Sequence, residues 1–340
     1  MTLSDKLTAL KIPGTVTKTE NNGFYTCYHV LFNPDITLAK IKARRDDIAL
    51  FLDVPVEIET GSGGAVIIKA LKERRDPVGV YDFTCKLADG IPGHEIPLMI
   101  GTSETGSHIF YDLAKMPHLL AGGSTGSGKS VFMHNCILST FYSGNCNLML
   151  IDVKRVEFNI YENIPHLITP VIYDPAAAYK QLKNLCYEMD RRYQLLKDNN
   201  CRNVKEFRDR GHKLNYIAVF IDELCDLLMN NKKIESLIIR LAQLGRAAGI
   251  HLVVATQRPD SVVLSGLIRA NIPTRVCFAV QKATDSRIIL DAAGGESLRG
   301  AGDGLFLPIG NRSPVHFQAP FISTDALINA VKLARRVNDK

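Results

Sequence analysis

The sequence predicts an α/β fold with a largely parallel central sheet and a small N-terminal α/β subdomain. Three observations carry that prediction. An apolar run, His118 to Ala121, leads into Gly123-Ser124-Thr125-Gly126-Ser127-Gly128-Lys129-Ser130, which opens a helix-compatible stretch at Val131-Phe132-Met133. A second run, Tyr216 to Ile221, ends in two adjacent acids, Asp222 and Glu223. Beyond Glu95, strand-like and helix-like segments alternate, as in a sheet covered on both faces.

Taken in order, Ile12 to about Ile68 reads as a small α/β module. It holds a strand from Gly23 to Phe32, a turn at Asn33-Pro34 and a basic amphipathic stretch from Leu38 to Leu52. In that stretch Leu38, Ile41, Ile48 and Leu52 recur at roughly helical spacing, and Lys40, Lys42, Arg44 and Arg45 form a solvated face. Val54 to Ile58, the turn Gly61-Ser62-Gly63-Gly64 and Ala65 to Ile68 predict a closing hairpin. Lys69 to Gly93, with two prolines and three glycines, reads as a connector, which places a domain boundary near residue 93. Central strands are expected at Leu148 to Ile151, Tyr216 to Ile221, Leu252 to Ala255 and Arg275 to Val280. One helix starts at Asp174 (N-cap) and Pro175, with Ala178, Leu182, Leu185, Met189 and Leu196 on one face. Another carries Ile234, Leu237, Ile238, Leu241 and Leu244 and ends near Gly249. The expected organisation is a module with connector over 1–93, an α/β motor-sized domain over 94–320, and a C-terminal amphipathic helix within 321–340 bearing Ala326, Ile328, Val331, Leu333 and Ala334.

The 340 residues, 46% of them hydrophobic, are ample for a packed core in about two domains. No apolar run approaches the ~18 residues of a membrane span, and Met1 to Leu10 lacks the apolar centre of a cleavable signal, so a cytoplasmic protein without direct membrane insertion is expected. The eight cysteines (27, 85, 136, 146, 186, 201, 225 and 277) contain no C-x-x-C pair, which argues against a zinc site or disulfide framework and for reduced, mostly buried thiols. A net charge of +6 permits a polyanionic partner without identifying one.

The chemistry rests on the first two motifs. In the G-x-x-x-x-G-K-S loop, glycines let backbone N–H groups point into one concavity, the following helix adds its positive end, Lys129 reaches β- and γ-phosphates, and the Ser130 hydroxyl meets Mg²⁺. A nucleoside triphosphate is the expected ligand, held by Gly123, Ser124, Thr125, Gly126, Ser127, Gly128, Lys129 and Ser130. A buried strand ending in acids delivers carboxylates to the ligand-binding edge of a parallel sheet. There Asp222 is placed to share the Mg²⁺ shell with Ser130, and Glu223 to deprotonate an attacking water. A third run, Leu252 to Ala255, breaks into Thr256-Gln257-Arg258-Pro259, where Gln257 is a candidate γ-phosphate sensor and a plain strand-to-loop transition is the competing explanation.

Several longer stretches resemble the motor of the FtsK/SpoIIIE DNA translocases. They are Leu113 to Leu120, Ile164-Pro165-His166-Leu167-Ile168-Thr169-Pro170, Arg246-Ala247-Ala248-Gly249-Ile250-His251, Ala255 to Pro259, and Ala270-Asn271-Ile272-Pro273-Thr274-Arg275. The resemblance runs from about Ile12 to Phe317, with the N-terminal module similar to the family's α subdomain and Glu95 onward to its RecA-like, P-loop NTPase β subdomain.

The resemblance implies an ATPase that assembles as a homohexameric ring and pumps double-stranded DNA without strong sequence preference, using ATP and Mg²⁺. It implies an arginine finger in trans at Arg246, for which the alternative is a helix-end arginine satisfying carbonyls. It also implies pore-facing DNA contacts at Arg258 and over Lys282 to Arg287, against the alternative of surface cations paired with Asp285 or Glu296. The lysine of that second loop is shifted relative to the family pattern, since Lys282 precedes Ala283 where the basic residue is expected. The family has a lysine and a glutamate matching Lys154 and Glu157; the sequence does not give their role, and an intramolecular or an intersubunit ion pair is the simplest expectation. His118, His166 and His251 have no metal-like spacing and read as core or interface residues. Membrane segments before the motor and a winged helix after it, present in larger family members, have no counterpart in this sequence. A sequence-indifferent motor for DNA transfer or segregation is therefore expected; the breadth of the family alone implies plasmid, phage or integrative-element DNA as its cargo, and recruitment to a septum or pore would need a membrane-protein partner. The alternatives are a related ring ATPase that moves a protein substrate and a noncatalytic adaptor, the latter disfavoured by the intact Lys129, Ser130, Asp222 and Glu223.

Overall fold

The computed structural model describes residues 2–21, 24–72, 78–261 and 264–336. Gly23, the expected start of a strand, residues 73–77 of the connector and residues 337–340 of the C-terminal helix lie outside the described residues. The chain forms two compact units, one of Met1–Pro77 with Thr102–Ser107 and one of Val78–Gly101 with His108–Lys340.

The first unit is a four-stranded antiparallel sheet backed by short helices. Helix α1 (Leu3–Ala9) starts in a capping box between Thr2 and Asp5. Strands β1 (Gly14–Asn21) and β2 (Tyr25–Phe32) follow, then α2 (Leu38–Lys42), α3 (Arg45–Leu52), β3 (Val56–Thr60) and β4 (Val66–Leu71). The sheet order is β1-β2-β4-β3, and each neighbouring pair is antiparallel. The expected hairpin is β3–β4. The amphipathic stretch from Leu38 is two helices, not one, broken at Ala43-Arg44. Between Ile41 and Ile48 the sequence offers no large apolar residue, so a continuous turn there has nothing to bury; the break lets both isoleucines reach the core while Lys40, Lys42, Arg44 and Arg45 stay exposed.

The second unit opens with α4 (Tyr81–Asp89), a helix inside the segment read as a connector, whose Phe83 and Leu87 are buried in the main core. Strands β5 (Pro97–Ser103), β6 (His108–Asp112) and β7 (His118–Gly122) lead to α5 (Lys129–Ser143) and β8 (Cys146–Ile151). Helices α6 (Pro175–Asp198) and α7 (Val204–Asp209) precede β9 (Tyr216–Ile221), α8 (Leu224–Asn230), α9 (Lys233–Leu244) and β10 (Ile250–Thr256). The unit ends with α10 (Gly266–Asn271), β11 (Thr274–Phe278), α11 (Ala283–Leu290), β12 (Asp303–Leu307), β13 (Val315–Gln318) and α12 (Thr324–Arg336).

The nine strands lie in the order β6-β5-β13-β12-β11-β7-β10-β9-β8. The stretch β11-β7-β10-β9-β8 is parallel, and β12 and β13 extend it antiparallel. Strands β7, β9 and β10 are buried along their whole length, which is why they read as unbroken apolar runs. Asp174 caps α6 through the Ala177 N–H at 2.8 Å, with Pro175 at the first turn as expected. In α12 the buried residues are Leu327 and Val331, whereas Leu333, expected on the apolar face, is exposed. All eight cysteines are free, and all but Cys85 are buried.

His118 on β7 and His251 on β10 sit in the core with ring centroids 6.3 Å apart. The Leu252 N–H donates to His118 Nδ1 at 3.0 Å, and His251 Nδ1 donates to the Pro117 carbonyl at 2.9 Å, arrangements suited to neutral rings. Burial, helped by their mutual repulsion, pushes His118 down to about 3, and burial pushes His251 down to about 4. Both therefore stay neutral in the fold while the unfolded chain protonates them below pH ~6.5. The unfolded state then binds more protons, so stability is retained at neutral pH and falls as the pH drops toward 5, by up to about 1.4 kcal/mol per pH unit for each histidine. Urea unfolding at pH 7.5, 6.0 and 5.0 measures this slope. His118→Asn, whose Oδ1 can take the Leu252 N–H, is expected to reduce the slope by about half.

Candidate active site at one edge of the sheet

The loop between β7 and α5 lies where the chain crosses the carboxyl ends of neighbouring strands. Its Gly123 N–H donates to the Thr256 carbonyl of β10 at 3.2 Å, and its Ser124 N–H to Ala279 just past β11 at 2.9 Å. Glycine is required at Gly128, where φ is +103° and a Cβ would lie 2.3 Å from the Gly302 nitrogen. The partner segment is itself left-handed over Gly300, Ala301 and Gly302. It braces the loop from outside, because the Gly302 N–H donates to Ser127 at 2.8 Å and the Ala301 N–H to Gly126 at 3.3 Å. The Thr125, Gly126 and Gly128 N–H groups make no backbone hydrogen bond among the described residues. They border a cavity of about 400 Å³ that runs from Lys129 and Ser130 to Ala319, Pro320 and Phe321, a size suited to a small organic ligand.

Lys129 begins α5 almost fully buried, its Nζ 3.2 Å from both the carbonyl and Oδ1 of Asp222, which follows β9. Burial raises the Asp222 carboxyl above its ordinary range, with Lys129 pulling the other way. Glu223 is 1% exposed. Its Oε1 accepts from Thr256 Oγ1 at 2.6 Å, and its Oε2 accepts from the Gln257 N–H at 2.9 Å and from Lys154 Nζ at 3.2 Å. Lys154 also pairs with Asp226 at 3.4 Å; burial works against its charge, but the Glu223 and Asp226 carboxylates outweigh it and raise its pKa. Gln257 Oε1 accepts from Thr125 Oγ1 at 3.3 Å, tying the strand end to the glycine-rich loop.

The Ser130 hydroxyl donates to Glu157 Oε1 at 2.7 Å. Glu157 Oε2 lies 3.4 Å from His134 Nε2, and His134 Nδ1 lies 2.9 Å from the Tyr161 hydroxyl. His134, then Ser130 and the Lys129 charge, hold the Glu157 carboxyl below its ordinary range against its burial. Asp152, at the end of β8, accepts from the Glu157 and Phe158 N–H groups at 2.9 and 3.0 Å and so sets the loop that presents Glu157. Its other oxygen, Oδ1, is buried without a hydrogen-bond partner. The expected ion pair exists for Lys154, with Glu223. Glu157 does more than pair, since it holds the hydroxyl of the loop serine.

Four contributors were not read from the sequence, the first being Asp152, the acid that ends β8. Thr256 lay within the third motif, between Ala255 and Gln257. His134 is one turn past Ser130 on α5, and the Gly300-Ala301-Gly302 brace was signalled only by two glycines in three residues.

The remaining sequence-derived candidates fall elsewhere. Arg246 is exposed in the turn before β10, at the opposite end of that strand from Gln257. Seven residues of strand separate those ends by roughly 20 Å. Arg246 lines a different cavity of about 440 Å³ with Lys115, Arg202, Lys205 and Tyr216, and its side chain donates to no helix-end carbonyl among the described residues. Arg258 follows the site directly: its N–H donates to Thr256 Oγ1 at 3.1 Å, and its carbonyl accepts from Cys225 Sγ at 3.0 Å. It borders a third cavity with Gln281 and Asp285, next to Lys282 at the start of α11. Arg258, Lys282 and Arg287 are exposed and form no ion pair among the described residues, with Asp285 and Glu296 included.

Residues 93–215 and 207–261 match the model of the FtsK/SpoIIIE family. The chain is 40% identical over 339 residues to the DNA translocase FtsK of Bacillus cereus, covering 94% of this chain and 43% of that protein. It is 38% identical over 338 residues to the DNA translocase SpoIIIE of Bacillus subtilis, again covering 94% of this chain and 43% of that protein. It thus spans less than half the length of these relatives. Among solved structures, the pCW3 conjugation coupling protein TcpA, in a monomer form with ATPγS, superposes with a TM-score of 0.71 at 25% identity over 97% of this chain and 98% of that chain. The cytoplasmic domain of the type VII secretion ATPase EccC of Thermomonospora curvata shares the fold, with a TM-score of 0.63 at 23% identity over 70% of this chain and 31% of that one. With its RecA-like sheet, its glycine-rich loop and this degree of identity, the chain belongs to the FtsK/SpoIIIE family.

Proposed function

We propose that this chain is the motor of an ATP-driven, double-stranded DNA translocase that works as a homohexameric ring in the cytoplasm. One observation carries the proposal. Lys129, Ser130, Asp222, Glu223 and Gln257 converge on one edge of the sheet, whereas Arg246 stands at the opposite edge, so the site is complete only when a neighbouring copy supplies the arginine. Relatives named as DNA translocases supply the substrate, and the unpaired Arg258, Lys282 and Arg287 supply cations suited to phosphates rather than to bases. Residues 94–320 carry the motor's site, with α4 packed into the same core, residues 1–77 act as an attached module, and α12 packs against α5.

In this reading the free N–H groups of the loop and Lys129 bind the triphosphate. Glu223, positioned by Thr256 and the Gln257 N–H, orients a water and takes its proton, while Gln257 reports the γ-phosphate to the Thr125 side of the loop. The donor set fits Mg²⁺, because Ser130 Oγ at the loop and the Asp222 and Asp152 carboxylates at the adjacent ends of β9 and β8 are hard oxygens, Asp152 Oδ1 having no hydrogen-bond partner among the described residues. When bound, Mg²⁺ neutralises charge on the β- and γ-phosphates. Ser130 and Asp222 would hold it, and Glu157 must then release the serine hydroxyl.

Two outcomes check the proposal. Lys129→Ala is expected to lose ATP binding, whereas Glu223→Gln keeps binding and loses at least ~100-fold in turnover. Long duplex DNA at low salt is expected to stimulate wild-type turnover, with affinity that falls steeply as salt rises. Turnover indifferent to duplex DNA would remove the translocase reading. The second outcome concerns the shared site. Arg246→Ala and Glu223→Gln proteins, each inactive alone, are expected to recover turnover when mixed, because about a quarter of interfaces in randomly mixed rings pair an intact Glu223 with an intact Arg246. A mixture no more active than its components would place Arg246 outside the site.

A further inference from the structure

The cavity beside the glycine-rich loop has a lining of two chemical kinds. Lys129, Ser130, Glu157, Gln257 and the loop N–H groups are polar, and Val131, Ala301, Ala319, Pro320 and Phe321 present only carbon from their side chains, with Ala319, Pro320 and Phe321 lying far from the loop in sequence. Phe321 stands out among the phenylalanines of this unit. Phe132, Phe158, Phe278, Phe306 and Phe317 are sealed in the core, whereas Phe321 is 55% exposed, and no other aromatic ring lies against it among the described residues.

The backbone that presents this ring is fixed. The Phe321 N–H donates to the Val78 carbonyl at 2.8 Å, and the Pro320 carbonyl accepts from the buried Asn135 Nδ2 at 2.7 Å. The Ala319 N–H donates to the Gly302 carbonyl at 2.8 Å, and Gly302 is the residue that braces Ser127. Asn135 lies on α5 six residues beyond Lys129, about 9 Å along the helix axis. Phosphate loop and aromatic ring are thus built from the same two anchors, α5 and Gly302, which holds their separation constant. Mobility does not explain why a large apolar ring is left open to water at this mouth.

We infer that Phe321 is the platform on which the base of the bound nucleotide stacks. This inference rests on the nucleotide-binding reading of the loop. The Val131, Ala301, Ala319, Pro320 and Phe321 side chains carry no hydrogen-bonding group, so the base is held against them by the π-face of Phe321 and the shape of the cleft. A rigid, pre-set aromatic wall suits this role because it loses little conformational freedom on binding. Phe321 therefore contributes to affinity for the nucleoside part of the ligand, and the loop contributes to affinity for its phosphates.

Calorimetric titration of the full chain with Mg²⁺-ATP and with Mg²⁺-tripolyphosphate, which has no base, separates the two contributions. Phe321→Ala and Phe321→Leu are expected to weaken ATP binding about tenfold. Phe321→Tyr is expected to match the wild type, and tripolyphosphate affinity to stay within about twofold throughout. Unchanged ATP affinity in Phe321→Ala would overturn the inference. So would an equal loss for tripolyphosphate, which would make Phe321 a support of the loop. Failure of the wild-type chain to bind either probe would instead remove the nucleotide-binding reading on which the inference rests.

Discussion

The buried pairing of Lys129 with Asp222 is the constraint around which the rest of the site is arranged. Both groups are at most 3% exposed, and an ammonium at that depth is tolerable only with a carboxylate beside it. Removing one partner of such a pair typically costs about 3–5 kcal/mol, because the other charge stays buried and alone. The same economy governs the neighbouring groups. Ser130 gives its proton to Glu157, Glu223 takes donors on both oxygens, and Gln257 receives the Thr125 hydroxyl. The site is therefore internally satisfied before any ligand arrives, and loading it exchanges protein partners for ligand partners. In the proposed function, phosphate oxygens would compete with Asp222 for Lys129, and a metal ion held by Ser130 would compete with Glu157. The exceptions among the described residues are the Thr125, Gly126 and Gly128 N–H groups of the loop, the buried Ser127 Oγ, and the buried Asp152 Oδ1, the last being the place where added positive charge is least opposed.

The sheet makes that arrangement possible. Strands β8, β9 and β10 run parallel and in sequence across it, so their carboxyl ends release Asp152, Asp222 with Glu223, and Thr256 with Gln257 side by side. The loop after β7 drops between β10 and β11 and is held there by one backbone bond to each side. Apolar runs long enough to fill both faces of these strands fix their length, and fixed length aligns their ends. Core packing and catalytic geometry are consequences of one pattern.

That pattern explains what was legible. The loop, the acid-ended strand, the Asp174-Pro175 helix start and the four central strands follow from local chemistry: glycine conformations, caps and uninterrupted apolar runs. Other features depend on contacts between distant residues. Helix α4 reads as linker in the sequence because Pro77, Gly79 and Gly90 surround it, yet Phe83 and Leu87 find room in a core formed mostly from later residues. The break after Lys42 reflects what α2 and α3 pack against, not any helix-breaking residue. Strands β12 and β13 are short and polar in part, with Asp303 and His316 bonded to each other across them at 2.6 Å, so neither shows a clean period. The Gly302 brace could not be inferred from spacing, since it acts on a loop 174 residues earlier, from Gly128 to Gly302.

Within the proposed function, the hydrogen-bond chain beyond Glu223 connects chemistry to movement. The Thr256 hydroxyl has one proton. In its shortest bond, 2.6 Å, the hydroxyl donates to Glu223 Oε1, and Thr256 Oγ1 itself accepts from the Arg258 N–H at 3.1 Å. A carboxylate is the strongest acceptor available to Thr256, and it ceases to be one once it takes a proton from water. The hydroxyl is then free to turn toward the Arg258 carbonyl, 3.1 Å away, or Cys225, 3.2 Å away, which changes how the turn carrying Arg258 is held. Arg258 is exposed, unpaired and adjacent to the start of α11, so a shift of its backbone changes the position of a cation without breaking an ion pair. One protonation event is thereby linked through a single threonine to a loop suited to phosphate contact, and the link needs no movement of the sheet.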